Sequence, residues 1–99
     1  MRPIHVARLD TARPVLVLTR EIVRPHMSTV TVAPITTTIR GLSTEVPVGP
    51  GNGLNERGVV VCDHVTTIPA RALQPQIGRL LDEQEATLSE AIHAAFDLE

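Results

Sequence analysis

The chain has 99 residues, 42% of them hydrophobic, with a formal net charge of −2 and a single aromatic residue, Phe96. That is the length of one small domain with an aliphatic core; Cys62, the only cysteine, excludes an intrachain disulfide and a thiolate zinc cluster, and no apolar run approaches membrane-spanning length. The charge is unevenly spread: residues 1–60 carry seven arginines against four carboxylates, residues 61–99 carry two against seven, and there is no lysine.

Short runs rich in Val, Ile and Thr, punctuated by Pro and Gly, predict an all-β chain. The first strand covers residues 4–9 and the second residues 14–19, with Arg13 on its threshold. The third, residues 29–35, alternates Thr29, Val30, Thr31, Val32 like a half-buried strand. Residues 44–48 make the fourth, "GPGNG" at 49–53 a mobile turn or loop, residues 58–62 the fifth and residues 76–80 the sixth. From Leu81 to Phe96 the period changes: Leu88, Ala91, Ile92 and Ala95 share one helical face. Asp82, Glu83 and Glu85 fall in its first turn, where the helix dipole favours negative charge, and Asp82 with Glu85 fits a capping box. The sum is a strongly bent antiparallel sheet closed on one side by a C-terminal amphipathic helix.

The chemistry-bearing residues are few. His5, His26, His64 and His93 are scattered, none at a ligand spacing from another, so neither a metal site nor a cofactor is expected. There is no glycine-rich phosphate loop and no Gly-x-Ser-x-Gly elbow. Cys62 in "VVVCD" reads as a small buried hydrophobe. Asp63 and His64 are the nearest acid–imidazole pair, but neighbours on a strand point to opposite faces. Arg13 alone reads as a strand-end arginine with its head in water. Thr36, Thr37 and Thr38 read as strand and turn formers. The chemistry open to these residues is a cation beside a phosphate whose charge grows in the transition state, and hydroxyls that orient its oxygens.

Taken in order, "RPVLVLTRE", "TVTVAPITTTIRGLSTEVPV", "GLNERGVVVCDHVTTIP" and the helical tail resemble the MazF/PemK-type toxins, most closely the mycobacterial-type members. The resemblance implies an SH3-like barrel with a C-terminal helix, usually a homodimer. It implies an mRNA interferase: the toxin half of a toxin–antitoxin pair, a metal-independent endoribonuclease that cuts single-stranded RNA (mRNA, rRNA or tRNA) at short sequences. It assigns catalysis to Arg13 of the Arg-Pro-Val-Leu-Val strand, Thr36 of "APIT" and Asp63 of "VCDH". Arg20, Thr37, Thr38, Arg40 and His64 are the expected RNA contacts, and a MazE-type antitoxin the expected protein partner. The chain departs from the pattern in its short opening, "RPIHVARLDTA", in Val61, which stands where the PemK branch has an arginine, and in Thr66-Thr67, which replace a later Arg-Thr pair. Without metal, RNA is most readily cut by its own 2′-hydroxyl, leaving a 2′,3′-cyclic phosphate and a 5′-hydroxyl. The lone cysteine and the lack of a charged-then-apolar leader point to a cytoplasmic protein with no membrane attachment. Two other readings use the same barrel: a CcdB-type toxin that binds gyrase without catalysis, and an inactive RNA- or peptide-binding barrel.

Overall fold

The computed structural model describes residues 2–8 and 10–98. Its strands are β1 (Pro3–Arg8), β2 (Ala12–Val17), β3 (Thr29–Thr36), β4 (Glu45–Val48), β5 (Gly58–Val61), β6 (Thr66–Pro69) and β7 (Leu73–Arg79), followed by one helix, α1 (Glu85–Ala95). Hydrogen-bonded neighbours run β4-β5-β3-β2-β1-β7, with β6 added to β3, and every pairing is antiparallel. The bent sheet and the C-terminal helix are therefore as expected. The end of the first predicted strand, Leu9, lies outside the described residues.

β3 is the spine. Its first half pairs with β6, its middle with β2 and its last two residues with β5. Alternation along β2 and β3 sorts their side chains into two cores. Leu16, Ala33 and Ile35 join Val46, Val60, Cys62 and Leu80 beneath Leu88 and Ala91 of α1. Val15, Val17, Val30 and Val32 join Ala7 and Ile68 on the other side. Ile92 and Ala95 complete the helix face that packs on the first core.

Four details differ from the sequence reading. β6 went unpredicted because it is four residues long and ends in a proline. β7 starts three residues earlier than expected and runs through Pro75; among the described residues β7 pairs only with β1, through an irregular register, and a proline is tolerated on such an edge. The helix entry is held by Gln84, whose Oε1 accepts the Leu81 N–H at 2.9 Å, while Glu85 is engaged with Arg2 at 3.2 Å instead of capping. Last, "GPGNG" is a pinned turn. Buried Asn52 accepts the Gly49 N–H at 3.1 Å and donates to the Arg79 carbonyl at 3.0 Å. Gly53, at φ 89°, lies so close to the Ile77 carbonyl that a Cβ there would collide with it.

Candidate active site

The β2–β3 register sets Val15 opposite Pro34 and Val17 opposite Val32. Continued outward by two residues, the ladder brings Arg13 beside Thr36. Pro14 confines Arg13 to extended backbone, so the side chain is delivered at the strand's mouth and stays exposed. Thr36 closes β3 and also faces Val59 of β5. Its Oγ1 accepts the Thr38 N–H at 3.1 Å, which fixes the oxygen and leaves the hydroxyl proton free to donate.

Two hollows flank this Arg13–Thr36 ridge. The first, about 240 Å³, is lined by Thr38, Arg40, Asp63 and His64 as well as the ridge itself. The second, about 600 Å³, is lined by the ridge with Thr37, Leu54, Asn55, Glu56 and Ile77.

The placement of Asp63 and His64 corrects an expectation. β5 ends at Val61, and Cys62–His64 form a 3-10 turn. Successive residues of such a turn are rotated by about 120° and not by the half-turn of a strand, and both side chains reach the same hollow. Thr44 Oγ1 donates to Asp63 Oδ2 at 2.6 Å and orients that carboxylate. Val61 lines the same hollow.

Residues 37–44 wall the first hollow, and a residue that sequence reasoning missed holds them. Glu45, only 8% exposed, accepts the backbone N–H groups of Arg40 (3.2 Å), Gly41 (2.9 Å) and Leu42 (3.2 Å) through Oε1. The available signal was an acid heading an otherwise apolar strand, "TEVPV". Glu45 thereby fixes the backbone from which Arg40 projects. Among the described residues, the guanidinium groups of Arg13 and Arg40 and the His64 ring have no hydrogen-bond or ion-pair partner, so all three remain open to an anionic ligand.

Cys62 is fully buried, and its thiol is pushed up from 9.0 to about 11, by burial first and by the neighbouring Asp63 charge second. It packs as a hydrophobe and offers no thiolate. Arg20 is not brought to either hollow; it lies beyond the far end of β2. No three of the His, Cys, Asp and Glu side chains among the described residues group in a way that would hold a metal ion.

A bent antiparallel sheet with one C-terminal helix is the architecture of the solved MazF toxins that this chain matches. Residues 6–96 match the family described as the PemK-like, MazF-like toxin of type II toxin–antitoxin systems, and the chain belongs to it. The chain is 66% identical over 99 residues, all of this chain and 96% of the other, to the endoribonuclease MazF3 of Mycobacterium tuberculosis (strain ATCC 25618 / H37Rv). It superposes on the solved Mycobacterium tuberculosis toxin MazF-mt6 with a TM-score of 0.97, at 65% identity and 99% coverage of both chains. A mycobacterial endoribonuclease solved with its cognate antitoxin shares the fold at a TM-score of 0.89 and 24% identity, over 98% of this chain and 93% of that one. Among the described residues no helix is long and apolar enough to cross a membrane.

Proposed function

We propose that this chain is a ribonuclease toxin that cuts single-stranded RNA at the Arg13–Thr36 ridge. The observation that carries the reading is the convergence of Arg13, Thr36 and Asp63 on one hollow, in a chain 66% identical throughout to a protein named an endoribonuclease. The 2′-oxygen attacks the adjacent phosphorus, the P–O5′ bond breaks, and the products are a 2′,3′-cyclic phosphate and a 5′-hydroxyl. The ridge and the hollow hold the nucleotide for in-line attack. Arg13 donates to the non-bridging oxygens as their charge grows. Thr36 donates its hydroxyl to the same phosphate. Asp63 or the adjacent His64 takes the 2′-proton, and the leaving O5′ takes one from Arg13, whose guanidinium regains it from water. Single strands suit a protein that must reach unstacked bases. With no Trp or Tyr as stacking platforms, arginine planes, small apolar side chains and backbone groups do the reading.

The partners follow. The arginine-rich half attracts RNA and acidic peptide alike, so an acidic antitoxin segment of the MazE type covers the same surface and blocks it. The protein works in the cytoplasm as a homodimer, and sedimentation should give twice the 10.7 kDa chain mass.

The test is incubation of purified protein with a long single-stranded RNA in EDTA, with both new ends mapped. Cuts at a short recurring sequence, ending in cyclic phosphate and 5′-hydroxyl, are expected. Intact RNA would overturn the reading and favour a binding-only barrel.

A further inference from the structure

The two hollows beside the Arg13–Thr36 ridge differ in size and charge, and the difference suggests separate tasks. The first is small, about 240 Å³, and adds Arg40 and His64 to the ridge, together with the Asp63 carboxylate and with Glu45, whose carboxylate is taken up by loop N–H groups. It suits a phosphate and its sugar. The second, about 600 Å³, lies within the range of sites that enclose a small organic group. Among the described residues Arg13 is its only cation, and it holds a carboxylate, Glu56. Leu54, Ile35 and Ile77 give it apolar surface, Ile77 being 41% exposed.

We propose that this second hollow holds the nucleobase next to the cut phosphate, and that Glu56, with Asn55, selects a base carrying an exocyclic amine over uracil. The inference rests on the ribonuclease reading above. A phosphate beside Glu56 would meet like charge with Arg13 alone to offset it, whereas in the first hollow Arg40 joins Arg13 against Asp63; a base edge with N–H groups meets in Glu56 an acceptor. Carboxylates accept from amines such as cytosine N4. Uracil, held in the same pose, would turn a carbonyl oxygen toward the exposed carboxylate, acceptor against acceptor, and lose the contact that the amine makes. Among the described residues neither the Glu56 carboxylate nor the Asn55 amide has a hydrogen-bond or ion-pair partner in the protein, so both remain available to a ligand.

The loop that carries this pair is fixed at both ends. Gly53 sits against the Ile77 carbonyl, and Gly58 is buried so close to the Thr36 carbonyl that a Cβ would strike it. Residues 54–57 therefore span a gap whose far side is anchored to the residue that positions the phosphate. A base reader needs that fixed distance between base and scissile bond.

The experiment uses the full chain and a pool of RNAs randomised in sequence, with the cut ends sequenced. Wild type should disfavour uridine at one position flanking the cut. Glu56→Gln, which can donate as well as accept, should admit uridine there by on the order of tenfold, the worth of a good side-chain contact to a base. Preferences at the other positions should persist. Arg40→Ala should weaken cutting of all sequences alike. Binding of oligonucleotides carrying a 2′-deoxy nucleotide at the cut site, read by anisotropy, should show the same shift without chemistry. Unchanged preference in Glu56→Gln, or wild-type acceptance of uridine at both flanking positions, overturns the proposal while the nuclease reading stands. Failure of wild type to cut any member of the pool removes the nuclease reading and this proposal with it.

Discussion

Arg13 and Arg20 bracket the same stretch, "RPVLVLTR", yet the structure gives them different surroundings. At the Arg13 end, the last residue of β3, the turn after β5 and the loop braced by Glu45 converge on one hollow. At the Arg20 end, the chain enters a turn that leads to the 3-10 segment Arg24–His26. There Arg24 lies 3.7 Å from Glu21, and Ile22 is 77% exposed. Composition at a strand end does not make a site. Convergence of other elements around it does, because the proposed phosphate chemistry needs donors fixed from several directions.

The sharpest way to break this contrast is Arg13→Ala. Loss of one preorganised contact to the transition-state charge costs roughly 10²–10³ in rate. Single-turnover cleavage should fall by that order while the thermal melt stays close to wild type, since the side chain is exposed. Arg13→Lys should stay impaired, because a point charge does not reproduce the guanidinium fork. Near-normal cleavage by Arg13→Ala would remove the assignment.

Thr36→Val keeps the β-branched shape and deletes the hydroxyl. The rate should fall roughly tenfold to a hundredfold, less than for Arg13, since the hydroxyl offers one donor and no positive charge to the growing phosphate charge. The Thr38 N–H also loses its acceptor, but at an exposed turn where water replaces it. A variant that cut normally would confine Thr36 to a turn-forming role.

Glu45→Ala attacks the brace behind the hollow. Three loop N–H groups lose a buried charged acceptor, and stability should drop by about 1–3 kcal/mol in urea titrations. Cleavage should fall less than in the Thr36 variant, through a displaced Arg40. Glu45→Gln retains one acceptor oxygen and should recover much of both. If Glu45→Ala cut RNA as well as wild type, the loop's geometry would not matter to the site.

Beneath the same hollow, Cys62 sets a pH limit. Its thiol is protonated in both folded and unfolded chains below about 9, and folding holds it protonated to about 11. Between those values unfolding releases a proton, so stability should fall as pH rises through the window and level off above it. The chain has no Lys or Tyr, so no other side chain is expected to obscure the slope. Cys62→Ala should flatten the decline seen in urea melts; an unchanged slope would assign it to another group.

These contrasts also mark what the sequence makes legible. Alternation along Thr29–Thr36 and the helical spacing of Leu88, Ala91, Ile92 and Ala95 reveal which faces are buried, because burial repeats with the geometry of each element. The Arg-Pro and "APIT" stretches could be matched as local patterns. Other features depend on where chain segments meet. Asp63 and His64 share a hollow because β5 stops at Val61, one residue sooner than its apolar run suggests. Glu45 looks like a misplaced acid until its loop folds back over it, and "GPGNG" looks loose until Asn52 meets β7 and Gln84. Arg20 shares the sequence surroundings of Arg13 and not its neighbours in space.

That last difference yields the smallest expected effect. The resemblance makes Arg20 an RNA contact, whereas its position beyond the far end of β2 separates it from both hollows. An exposed arginine there acts on RNA through long-range attraction alone, which salt screens within about 8–10 Å. Arg20→Ala should therefore leave the single-turnover rate at saturating RNA unchanged. It should weaken binding only at low ionic strength and alter stability by no more than about 0.5 kcal/mol, as surface changes usually do. A single-turnover defect approaching that of Arg13→Ala would mean that RNA follows β2 along its whole length, and the contrast between its two ends would collapse.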